Sequence, residues 1–203
     1  MKVVYFCYFI ALISSRLLWE QSDIEGNYYI SDNKLNGLYF GKHEEFMNID
    51  TSKNTIYLGH WYRLDFNNLL VGSKYEKDHS IPFNFTNKDS IKYNNIPYQR
   101  DNQPSNIILL FSMLGYHNYK IAANNTGDSN IAKLNFMENT LTIFFNNSMP
   151  PLNGAWNVIS FNSTIINGIL VNEKDSNLKY QFQIQYKDMS HILFNNFLFD
   201  KAN

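Results

Sequence analysis

Five histidines, His43, His60, His79, His117 and His191, are the side chains of this 203-residue chain best suited to proton transfer near neutral pH or to metal ligation. They stand singly along the sequence. His43-Glu44-Glu45 has no second histidine four residues on, the spacing that sets two ligands on one helical face. The sequence contains no Gly-x-Ser-x-Gly elbow, no phosphate-cradling Gly-Lys-Ser/Thr loop and no dinucleotide-binding glycine fingerprint. Asp65, Asp78, Glu138 and Glu173 could serve a glycosidase only if two of them faced each other across about 5–9 Å. Nothing in their spacing pairs them. The single cysteine, Cys7, excludes an internal disulfide framework and a Cys-rich zinc site. The expectation is a non-enzymatic protein with no catalytic residue, metal or cofactor.

Lys plus Arg number 17 against 18 Asp plus Glu, a net charge of −1. That balance provides no basic field, so neither nucleic acid nor an anionic membrane is expected as the main partner. Asparagine is abundant, about thirty residues, and Lys far exceeds Arg. Asn, Lys, Ile, Tyr and Phe share AT-rich codons, and an AT-rich genome explains the bias. The 16% aromatic content therefore does not by itself indicate an aromatic ligand pocket.

Met1-Lys2 and the unbroken apolar run Val3 to Ile13, closed by Ser14-Ser15-Arg16, have the form of a secretory signal peptide. The run is shorter than the twenty or so residues that span a bilayer. A signal peptide over 1–15 with a mature start at Arg16 is expected over a retained anchor extended by Leu17, Leu18 and Trp19. No other segment reaches membrane length. The mature chain, a single β-rich domain over 16–203, is expected to be secreted into a lumen, a vacuole or the extracellular space. It would have no cysteine and would depend on packing alone.

The elements that must position any site read as strands. Leu178, Tyr180, Phe182, Ile184 and Tyr186 alternate with Lys179, Gln181, Gln183, Gln185 and Lys187, the pattern of a strand with one apolar and one wet face. Residues 131–146 predict a hairpin turning at Glu138-Asn139, and 155–171 a second pair of runs separated by Asn162-Ser163. Asn167-Gly168 within the second run reads as either a turn or a bulge. Residues 54–66 predict one long strand bent at Gly59. Residues 106–114 read as either a buried strand or one helix segment, and 72–105 reads as long loops with a brief strand at 81–85. After Asp188, the recurrence of Met189, Ile192, Leu193, Asn196 and Phe197 favours a short C-terminal helix over an edge strand. No internal repeat stands out. The fold class expected is mainly β: an antiparallel sandwich or up-and-down barrel with that short helix.

Gly154-Ala155-Trp156 resembles the Gly-x-Trp that opens the lipocalin barrel. The family's motif lies near the mature N-terminus, where Gly37-Leu38-Tyr39 stands here, and its Thr-Asp-Tyr turn and late-strand Arg are missing, so no family is assigned. Four Asn-x-Ser/Thr sequons, at Asn84, Asn124, Asn146 and Asn162, are expected at turns or loops as N-glycosylation acceptors. The function expected is that of a secreted binding protein. It would carry a small apolar ligand in a lipocalin-like barrel, with Trp156, Tyr180, Phe182 and Ile184 as lining. The alternative is an accessory subunit that docks to a protein partner through a sheet edge or an aromatic patch.

Overall fold

The computed structural model describes residues 23–202 apart from 54, 66, 74–75, 124 and 126–128. The expected signal peptide, its cleavage site, Cys7 and the Asn124 sequon lie outside the described residues. The described chain is mainly β, 62% strand and 7% helix. Its strands form two closed eight-stranded antiparallel barrels. The first runs through β1 (Asn27–Ser31), β2 (Asn36–Phe40), β3 (Glu45–Asp50), β4 (Thr55–Arg63), β5 (Asn68–Ser73), β6 (Glu76–Asn87), β7 (Ser90–Tyr93) and β8 (Ile96–Arg100). The second comprises β9 (Asn118–Ile121), β10 (Ile131–Met137), β11 (Thr140–Phe145), β12 (Leu152–Phe161), β13 (Ile165–Asn172), β14 (Lys179–Asp188), β15 (His191–Phe194) and β16 (Phe197–Ala202). Each strand pairs with the next, and β8 closes on β1 and β16 on β9. The barrel is thus of the up-and-down kind, with no free sheet edge.

Both lumens are filled by aromatic rings. In the first, Tyr29, Phe46, Trp61 and Phe83 surround Phe40 at centroid distances of 5.9, 5.5, 5.0 and 6.3 Å. In the second, a file of contacts runs Tyr119, Phe136, Trp156, Phe182, Phe194, Phe199. These side chains come from alternate positions of successive strands, as the two-residue period of a barrel wall requires.

Between the barrels lies one helix, α1 (Asn106–Met113), which resolves the segment that the sequence left undecided. Ile107, Ile108, Leu110, Phe111 and Met113 are buried around its whole circumference, as expected of a helix enclosed on all sides. Ile108 rests against Gly37 and the outer wall of the first barrel, and the Tyr28 hydroxyl meets Ser112 Oγ at 3.0 Å. On the other side Phe111 meets the edge of Phe161, and Tyr119 donates to the Met113 carbonyl at 2.8 Å. The outward residues Met47, Ile49 and Leu58 therefore share a core with the second barrel. This explains why Glu45, Phe46 and Met47 are buried in succession along β3.

Two expectations are corrected. Residues 189–199 form no helix: Met189-Ser190 turns β14 into β15, with Asp188 accepting the Ser190 N–H, and Asn195-Asn196 turns β15 into β16. Both asparagines have positive φ, 50° and 69°, which no right-handed helix contains. The helix-like spacing of apolar residues came from two short strands meeting at a tight turn. Residues 72–105 are likewise not mainly loop but carry β6, β7 and β8. Their interior residues do alternate, at Ile81, Phe83, Phe85, Ile91 and Tyr93, but the polar outer face and the prolines mask the period. Asn167 and Gly168 stay within β13; the irregularity lies opposite them in β12, between Val158 and Ser160.

The pairing registers also reveal a repeat that the sequence hides. Proceeding around each barrel from the tryptophan ladders, Trp61↔Val71 corresponds to Trp156↔Leu170, and Phe46↔Gly59 to Leu141↔Gly154. Tyr29↔Leu38 matches Tyr119↔Leu134, and Ile91↔Tyr98 matches Ile192↔Phe199. The turns Asn94-Asn95 and Asn195-Asn196 coincide too, all four residues having positive φ. Gly59-His60-Trp61 and Gly154-Ala155-Trp156 are thus one motif occurring twice, each on the fourth strand of a barrel. The outer walls differ. Met47, Ile49 and Leu58 of the first barrel match Thr142, Phe144 and Asn153 of the second, so only the first wall is apolar enough to be covered.

Candidate functional site

The seam between the barrels brings together the residues of greatest chemical interest. His60 faces outward from β4. Its Nδ1 lies 3.1 Å from Glu138 Oε1 in the second barrel, and its Nε2 lies 2.9 Å from Asp78 Oδ1 on β6. Tyr116 donates its hydroxyl to the same Glu138 oxygen at 2.7 Å, and Tyr62 donates to Asp78 Oδ2 at 3.1 Å. Burial alone would lower the His60 pKa. Hydrogen bonds and charge from Glu138 and Asp78 outweigh it and hold the pKa above the ordinary imidazole value. The bond from His60 draws the Asp78 carboxyl below its usual range, while burial and the acceptor Glu138 push the Tyr116 phenol upward.

Local backbone chemistry fixes this geometry. Glu138 occupies the two-residue turn between β10 and β11 with φ of 52°, and its N–H donates to the Gly115 carbonyl at 2.5 Å. The Trp156 indole donates to the Glu138 carbonyl at 3.2 Å, and the Trp156 backbone N–H donates to that of Asn139 at 2.8 Å. The turn is thereby pinned to β12. Gly72 opens the way for Asp78: a Cβ at this position would collide with Asp78 Oδ1 and sit 2.9 Å from His60 Nε2.

Beside this cluster is a cleft of about 150 Å³, with Tyr57 and Leu58 of the first barrel on one side and Asn139, Trp156 and Val158 of the second on the other. The Asn139 Oδ1 is buried and has no hydrogen-bond partner among the described residues. An unmatched acceptor at such a site is costly unless something donates to it. The cleft, whose walls also include Asn157, can take ordered water or a small molecule with both polar and apolar surface.

Of the residues proposed from the sequence to hold a ligand, Trp156 lines this cleft while its ring also packs in the lumen. Phe182 and Ile184 are enclosed in the core of the second barrel. Tyr180 is half-buried, its hydroxyl accepting from Asn195 Nδ2 at 2.9 Å. Asn84, Asn146 and Asn162 are exposed. Asn84 lies within β6 rather than a loop, Asn146 donates to the Ser129 carbonyl, and Asn162 accepts from the Thr164 and Ile165 N–H groups. Of the four acids considered, Asp78 and Glu138 meet through His60. Asp65 instead holds the β4–β5 turn, and Glu173 accepts from Asn153. Among the described residues, no three of His, Cys, Asp and Glu are placed to hold one metal ion. No helix among them is long and apolar enough to cross a membrane.

His60 was missed as a centre because its partners lie 18 and 78 residues away. One signal was available: comparison of the two Gly-x-Trp motifs isolates His60 against Ala155 at the middle position. No protein-family model matches the sequence, and no curated protein matches it.

Proposed function

We propose that the chain is a secreted, non-enzymatic binding protein that takes a small ligand in the cleft between its barrels. The observation that carries this reading is a cleft of about 150 Å³ between the barrels whose walls combine the Asn139 and Asn157 side chains with Leu58, Trp156 and Val158. A space of that size has room for a single six-membered ring. The matching ligand is a neutral, single-ring molecule with one O–H or N–H donor. The ring-filled lumens favour the seam over the barrel interior as its location. Secretion is supported by the charged start and apolar run of the first fifteen residues.

Phenol and benzene, titrated into isotope-labelled protein, test the proposal. Phenol is expected to shift the Trp156 indole resonance saturably and to bind about tenfold more tightly than benzene, the value of one hydrogen bond. That preference should vanish in Asn139→Leu. Equal affinities for the two, or no saturable shift at Trp156, reject the ligand reading.

A second reading, docking to a protein partner, is favoured by the closed and filled state of both barrels. With every edge strand paired, such a partner would meet a side-chain face rather than extend a sheet. Native mass spectrometry of the secreted protein separates the two readings by the mass retained.

A further inference from the structure

The chain Tyr62, Asp78, His60, Glu138, Tyr116 crosses from one barrel to the other with a carboxylate on each side of the imidazole. A carboxylate only accepts hydrogen bonds, so each contact needs an N–H from the ring. Both contacts together require the doubly protonated imidazolium. The remaining hydrogen bonds are fixed by two phenols, and the missing Cβ of Gly72 leaves room for the Asp78 contact.

We propose that His60 is a proton-operated clasp at the seam: its imidazolium ties Asp78 to Glu138, and loss of one ring proton releases Asp78 while the bond to Glu138 is kept. The asymmetry follows from solvation. The Asp78 side chain is 41% exposed and water can take over its bond, whereas that of Glu138 is 10% exposed and water cannot replace the imidazole there as readily. Release leaves the Asp78 carboxylate with the Tyr62 hydroxyl and water above the transition, and with the imidazolium as counter-charge below it. The clasp rests on the seam geometry and holds whether or not the cleft takes a ligand.

Other charged and titratable groups surround the ring. Glu45 is its cross-strand partner on β3, Glu44 acts on Tyr62, His79 acts on Asp78, and Lys201 of β16 stands near Glu45. The two carboxylates that hold the ring, Glu138 and Asp78, are the groups that raise its pKa. A histidine raised in the folded state stabilises the fold fully below its unfolded value of about 6.5, and the contribution disappears as pH rises through the folded value.

Nitrogen-detected NMR of the imidazoles in the whole chain tests the clasp. His60 is expected to titrate above the ordinary imidazole value and to leave Nδ1 protonated when neutral. Asp78→Asn should lower its midpoint by about half a pH unit or more, and Gly72→Ala should lower it in the same direction. A His60 midpoint at or below the ordinary value overturns the proposal, as does a neutral form protonated on Nε2. So does a midpoint unmoved by Asp78→Asn. Should that variant fail to fold, the wild-type midpoint and tautomer decide.

Discussion

The ring of Phe182 occupies the space beside the Cα of its ladder partner Gly168, close enough that a Cβ at 168 would collide with it. A glycine inside a strand normally weakens it, and here the aromatic neighbour fills the place of the missing side chain. Phe182 is also stacked on Phe194 at 5.3 Å and tilted against Trp156 at 6.1 Å. Phe182→Ala is therefore expected to cost about 3–5 kcal/mol, from lost transfer energy and an unfilled cavity. Gly168→Ala should cost about 1–3 kcal/mol by overpacking. If the ring is the obstacle, the double variant should cost less than the two single losses added together. Urea unfolding of the four proteins measures this. Gln183, on the other face, donates to Asn167 at 3.1 Å, so Gln183→Ala should cost within about 1 kcal/mol.

Gly59 and Gly154 make a paired prediction. A Cβ at either would run into a backbone carbonyl oxygen, that of Gly72 or Val171. Backbone cannot swing aside as a ring can, so both alanine variants should reach or exceed the upper end of the 1–3 kcal/mol typical of overpacking. Thermal unfolding would reveal it. A tolerated alanine at one site and not the other would mean that the two strands approach differently, against the matching registers of the barrels.

The elements legible in the sequence were those with one wet face. Lys179–Asp188 exposes polar residues at every second position, so its period survives on the page, while β10–β11 and β12–β13 are set off by the turn residues Glu138-Asn139 and Asn162-Ser163. The strands least legible were those packed on both sides or masked by proline. β3 is legible only as a short apolar run at 45–49, because it buries its outer Met47 and Ile49 against the second barrel, which erases the alternation. The repeat is hidden because its conserved feature is register rather than identity: Tyr93 stands where Phe194 does, and Val71 where Leu170 does. The seam chemistry was illegible for a different reason. His60, Asp78 and Glu138 belong to three separate hairpins and become neighbours only when both barrels have closed and docked.

His117 supplies a pH dependence opposite in sign to that of His60. Burial, aided by the nearby Lys201 charge, pushes its pKa down to about 4, and its Nδ1 has no partner among the described residues. The unfolded chain takes up this proton near pH 6.5 and the folded one only near 4. The stabilisation is therefore complete above about 6.5 and is lost as pH falls towards 4, by at most about 3 kcal/mol. His60 favours the fold on the acid side and His117 on the neutral side, so the two bound a stability maximum. Replacing His117 with Phe keeps a neutral ring in place and removes the titration. Urea unfolding at pH 4.5 and pH 7 should then show a smaller difference than in the wild type. If the difference is unchanged, the acid limit of the fold belongs to another group.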